Sequence, residues 1–129
     1  MEFKGGALMP EMAGKYMTGY VHVRWPLARL RIETGLIGIR ACPAWPLTAF
    51  DGAPLAVSSP AEIELVFASV GMLRNPMVGL RAATGRTYYF RPGRTAYFRA
   101  FRRTAEILDL CEREGFAVSR ENHRVDLTR

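Results

Sequence analysis

Apolar and polar positions alternate through most of the middle of this chain, and the period changes once, near position 95. Ala28, Leu30 and Ile32 fall on one side of their run while Arg29, Arg31 and Glu33 fall on the other. That period of two predicts a strand with one face in a core and one in water. Residues 20–25 alternate in the same way, with Val21, Val23 and Trp25 opposite His22 and Arg24, until Pro26 ends or bends the run. Residues 36–42 resume the pattern, with Ile37, Ile39 and Ala41 in phase. Thr34-Gly35 separates the two runs, and Gly supplies the positive φ that a tight hairpin demands. The same turn chemistry recurs at Thr84-Gly85, between residues 77–83 and the aromatic run 86–91. Two such hairpins predict an antiparallel meander.

Between the hairpins, Pro43, Pro46, Asp51-Gly52 and Pro54 mark a loop that carries Trp45 and Phe50. Residues 55–58 read as a short strand, and Ser59-Pro60 as the cap of a single helical turn with Pro60 at its first position. Ile63, Leu65 and Phe67 place a strand over 63–70, and 71–76 read as a turn. From Thr95 onward the repeat is helical. Tyr97, Phe101, Thr104, Leu108 and Cys111 form an apolar stripe widened by Phe98, Ala105 and Ile107. Arg99, Arg102, Arg103, Glu106, Asp109 and Arg113 form the opposite face. Thr95 is the expected N-cap and Gly115 the expected residue just past the end. A rival reading closes a third hairpin at Pro92-Gly93, runs 95–101 as a strand and starts a shorter helix at Thr104; the long helix is preferred. At the ends, 1–18 show no period among Gly5, Gly6, Pro10 and Gly14 and read as a mobile lead-in. Residues 119–129 have almost no apolar content and read as a disordered tail, which leaves 19–118 as the domain.

At 129 residues one domain is the expectation. The formal charge is +6, carried almost wholly by arginine, since Lys4 and Lys15 are the only lysines. No acidic residue occurs from Leu65 to Ala105, where Arg74, Arg81, Arg86, Arg91, Arg94, Arg99, Arg102 and Arg103 all fall. A segment of one sign makes a positive surface field if its side chains converge. The predicted helix sharpens the point. Arg94, Arg99, Arg102 and Arg103 crowd its positive end and Asp109, Glu112 and Glu114 its negative end, each such placement costing about 0.3–1 kcal/mol at the surface. Solvation of the charges, together with an arginine-rich coding bias, is the preferred explanation; the sharper alternative is that this end faces an anion such as a lipid headgroup, a nucleic-acid phosphate or an acidic partner surface. Arg86, Arg91, Arg94, Arg99, Arg102 and Arg103 are therefore the candidate partner-binding residues. Tyr88, Tyr89, Phe90, Tyr97, Phe98 and Phe101 are read as core rather than as a base-stacking platform.

Catalytic chemistry finds no foothold. His22 and His123 are the only histidines, and neither lies near a nucleophile or carboxylate at a recognisable spacing. Glu62 and Glu64 share a strand phase that faces water. The glycines fall at hairpins rather than before a helix, so no phosphate loop is present. Cys42 and Cys111 stand in no metal or redox spacing and read as free, buried thiols. No catalytic residue, cofactor or metal is expected. The N-terminus has no apolar signal-peptide core and no apolar run is of bilayer length, so a cytoplasmic chain is expected.

Seven short strands followed by one amphipathic helix resemble the pleckstrin-homology-like superfold, including its small bacterial and GRAM-like members. The likeness rests on residues 25–32 (WPLARLRI) with the hairpin at Thr34-Gly35, on 55–63 (LAVSSPAEI), and on the ending from Glu106 through Glu114-Gly115-Phe116. It implies a mainly β domain: a seven-stranded antiparallel sandwich or partly open barrel, plugged at one end by the C-terminal helix. It implies binding of lipids, peptides or proteins. The basic cluster that lipid-binding members carry at the first hairpin has no counterpart at Glu33-Thr34-Gly35-Leu36, so no family binding residue is carried across. The expectation is a non-enzymatic binding or scaffolding module for an acidic protein or anionic membrane surface. The alternatives are a weak nucleic-acid-binding domain and a small ligand-binding or hydrolytic barrel.

Overall fold

The two predicted hairpins sit at the centre of two antiparallel meanders. The first comprises β1 (Glu2–Ala13), β2 (Tyr16–Glu33), β3 (Leu36–Ala41) and β4 (Leu55–Val57). After a 3-10 turn at Pro60–Glu62, the second comprises β5 (Ile63–Val70), β6 (Pro76–Ala82) and β7 (Thr87–Arg91). The helix α1 (Tyr97–Arg113) follows, and then β8 (Val118–Arg124). The computed structural model describes residues 1–13, 16–41, 55–57, 60–70, 76–93 and 97–124. β1 pairs with β7 and joins the meanders, and β8 runs parallel to β5, giving one eight-stranded sheet in the order β4-β3-β2-β1-β7-β6-β5-β8. The sheet curls into a half-barrel with α1 packed against β5, β6 and β8. This is the mainly β architecture with a C-terminal amphipathic helix that the periodicity implied, with eight strands rather than seven and one parallel pairing.

Both ends of the chain depart from expectation. Residues 1–18, expected as a mobile lead-in, contain β1, a central strand. Its inward positions Phe3, Ala7 and Met9 are buried. Gly5, which broke the apolar period, is there for clearance: a Cβ would sit 2.2 Å from the Arg91 carbonyl oxygen and 2.7 Å from the Phe90 ring. The expected tail, 119–129, supplies most of β8. A strand at a sheet edge needs backbone partners rather than apolar side chains, and charge there guards against stray pairing. Residues 20–25 and 28–33 belong to one strand, β2. Its register against β1 shifts between Ala28, opposite Gly5, and Val23, opposite Ala7, so Pro26 sits in an irregularity rather than at an end.

The concave face holds the main core, where Leu30, Ile32, Ile37, Ile39, Val66, Val78, Leu80 and Phe90 meet Ile107, Leu108, Cys111 and Phe116. A second cluster lies on the convex face. Register places Phe67, Gly79, Tyr89 and Leu8 side by side across four strands. The Phe67 ring lies over the bare backbone of Gly79 and meets Tyr89 edge-on at 6.2 Å and 86°. The aromatics thus fill the space left by a missing side chain. Tyr20 closes this cluster by donating its hydroxyl to the Thr87 carbonyl at 3.0 Å. The β1–β7 register would bring Pro10 opposite Thr87, and proline has no N–H for that carbonyl, so a side chain supplies the donor.

The long helix is the one present. Its buried positions are Ala100, Thr104, Ile107, Leu108, Leu110 and Cys111, while Phe101 and Ala105 are exposed. The stripe is rotated by about one position from the expected one, and Phe101 leaves the core for the surface. The reason lies at the entry to the helix. Ala100 packs against Gly93, where a Cβ would stand 2.9 Å from that of Ala100. The end of the helix follows its residues directly. Gly115 adopts φ 94°, its N–H donates to the Glu112 carbonyl, and the Phe116 N–H donates to that of Cys111. These are the two bonds of a Schellman cap, with buried Phe116 over buried Cys111 as its apolar contact. The expected N-cap Thr95, the loop aromatics Trp45 and Phe50, and Cys42 lie outside the described residues.

Candidate functional site

The arginines of the acid-free segment separate into distinct environments. Arg86, the residue before β7, and Arg91, its last residue, stand about 16 Å apart at strand rise. Arg86 lies at the end of the sheet where the Ala83 N–H bonds the Glu62 carbonyl, and Pro60 beside Glu62 approaches Gly115 at the helix C-terminus. It serves a local role. Burial pushes the Tyr88 phenol above its ordinary range, and the charge and hydrogen bond of Arg86 pull it partly back. Arg91 is half-buried and donates its Nε–H to the Gly93 carbonyl at 3.1 Å, bracing the turn into α1. Arg81 lays its guanidinium 5.5 Å from the Phe67 ring centre, with its Nε buried and without a hydrogen-bond partner. Arg94 lies outside the described residues.

Arg99, Arg102 and Arg103 do come together. Their spacing puts them on one face of α1 within a turn of each other, and with Glu106 they line a shallow depression of about 250 Å³. All are exposed. Arg103 pairs with Glu106 at 3.3 Å. Arg99 and Arg102 have no acidic partner among the described residues. Phe101, 39% exposed, stands beside them and is one of two exposed large apolar residues in the described structure.

The other end of the helix is neutralised from outside. Arg120 of β8 bonds Asp109 at 2.6 Å and reaches Glu112 at 3.5 Å. Exposed pairs of this kind contribute only about 0–1 kcal/mol each, but they change the sign of what is left over. The acidic end of α1 has an internal counter-ion, and the basic end has a cationic face with a single glutamate. Sequence alone missed Arg120, because its role requires the assumed tail to fold back beside β5. It also missed the exposure of Phe101, which depends on a rotation of the helix that no local pattern encodes.

Cys111 is buried on the core face of α1, and burial pushes its thiol up to about 12. It is not a nucleophile at neutral pH. Among the described residues, no group of three or more His, Cys, Asp or Glu side chains converges, and no helix is long and apolar enough to cross a membrane. No protein-family model matches the chain, and no curated protein matches it.

Proposed function

We propose that this chain is a non-enzymatic binding module that holds an acidic protein or anionic membrane surface through the outer face of α1. The observation that carries the reading is the uneven compensation along the helix. Arg120 neutralises the acidic end, while Arg99 and Arg102, on the end where the helix dipole is also positive, have no acidic partner among the described residues. Phe101 adds an exposed aromatic to the same end, and a charged rim beside an apolar anchor is the composition of both interfacial helices and protein contact sites. Arginine suits the role because its planar fork engages carboxylate or phosphate in two parallel hydrogen bonds. Seven strands followed by a packed helix support the pleckstrin-homology-like resemblance, from which β8 departs. A cytoplasmic setting goes with the same proposal.

Reversing Arg99, Arg102 and Arg103 to Glu tests it. Each basic residue near an anionic bilayer contributes about 1 kcal/mol, so the triple change removes more than a hundredfold in affinity. The readouts are flotation with phosphatidylcholine vesicles with and without phosphatidylserine, and capture on immobilised polyglutamate. Association of the triple variant equal to that of the unaltered protein on both supports would remove α1 from the reading.

A further inference from the structure

The strand register carries a second cationic feature, on the face of β1, β2 and β3 turned away from the core that α1 packs against. Lys4 lies directly across from Arg29, and Arg29 directly across from Arg40, so three cations form one line over β1, β2 and β3. Directly opposed residues share a face, and like charges so placed destabilise a sheet. With strands about 4.8 Å apart the line spans about 10 Å. Its internal compensation is thin. Glu2 approaches Arg29 at 3.7 Å and Arg40 at 3.9 Å, both beyond hydrogen-bond distance. Lys4 is exposed and has no acidic partner among the described residues. Arg31, on the same face, is already paired with Glu33 at 2.9 Å. Arg29 is held in place because its guanidinium donates to the Pro26 and Ala28 carbonyls.

We propose that this line binds the phosphate backbone of a single-stranded nucleic acid, independently of the α1 face. Two features select that occupant. The cations form an open row rather than a pocket, which fits a linear polyanion better than a compact one. Among the described residues this face carries no exposed large apolar side chain, since Met1 lies in phase with inward-facing Phe3 and Phe101 is on the helix. A protein interface needs an apolar centre and a bilayer contact needs an inserted group, whereas nucleic-acid interfaces are strongly positive and polar. With no exposed aromatic on this face among the described residues for bases to stack on, binding is to the backbone and sequence-independent. Glu2 occupies the place an incoming phosphate takes between Arg29 and Arg40, and so acts as a built-in competitor.

The test uses the full chain and a fluorescein-labelled oligothymidylate, with binding read by anisotropy across a salt series. Three phosphate contacts on a single strand predict a log–log salt slope of about −2, or about a twentyfold loss of affinity between 50 and 200 mM salt. Lys4→Gln with Arg40→Gln reduces the slope to about −0.7 and weakens binding about tenfold at low salt. Arg99→Gln with Arg102→Gln, an equal change of net charge on the other face, weakens it less than twofold. Glu2→Gln tightens it severalfold. Equal weakening by the two pairs would mean a response to net charge alone and would overturn the proposal. So would no binding at low salt, or binding of inorganic polyphosphate without binding of the oligonucleotide.

Discussion

Replacing Gly79 by Ala adds one methyl group directly beneath the Phe67 ring, at the centre of the convex cluster. The added Cβ would stand 2.2 Å from two carbons of the Phe67 ring and 2.8 Å from a third. No relaxation short of moving the ring resolves this, because Phe67 is 1% exposed and held edge-on against Tyr89 with Arg81 over its face. Overpacking of this kind costs about 1–3 kcal/mol, and breaking the aromatic pair about 0.5–1.5 kcal/mol more. Against this, Ala lowers the conformational entropy of the unfolded chain, a gain of about 0.4–1 kcal/mol. The net expectation is a loss of about 2 kcal/mol, which for a domain of this size lowers Tm by roughly 6–10 °C. Urea and thermal unfolding measure it. Adding Phe67→Leu to Gly79→Ala makes room for the methyl group, so the double variant is less destabilised than the two single losses added together, by at least about 0.5 kcal/mol. A Gly79→Ala protein within 0.5 kcal/mol of the parent, or strictly additive losses, would refute the account of the glycine as a seat for the ring.

Two other positions carry further outcomes. Gly115→Ala places a Cβ in the left-handed region at φ 94° and loses about 1 kcal/mol through the helix cap, measured by chemical denaturation. The Cys111 thiol, pushed up to about 12 by burial, resists alkylation by iodoacetamide at pH 8 in a Cys42→Ser background and reacts once urea unfolds the chain. The pH dependence has a definite sign. An unfolded thiol releases its proton near its ordinary value while the folded one retains it, so stability falls as pH rises from about 9 towards 12 and is unaffected by this group below that window. Rapid alkylation of the folded protein would show that Cys111 is not sealed in the core.

What the chain alone determined is the local order of elements. The hairpins at Thr34-Gly35 and Thr84-Gly85, the strand over 63–70 and the Gly115 helix end all follow from residues within a few positions of one another. Period, turn chemistry and capping are short-range physics, and they are legible in one dimension. β1 and β8 were invisible for the complementary reason. Gly5 carries no apolar signal because its fitness lies in clearance from Arg91 and Phe90, about 85 positions away in sequence. β8 is an edge strand held by backbone bonds to β5 and by the Arg120 contacts to α1. The same limit applies to the charges. Sequence identified an acid-free, arginine-rich segment, and only the tertiary structure divided it, giving Arg86 to Tyr88, Arg91 to Gly93 and Arg81 to Phe67 while leaving Arg99 and Arg102 without an acidic partner among the described residues. The line through Lys4, Arg29 and Arg40 exists only in the register of three strands. Which charges face one another is set by strand pairing, a non-local outcome of packing the whole core at once.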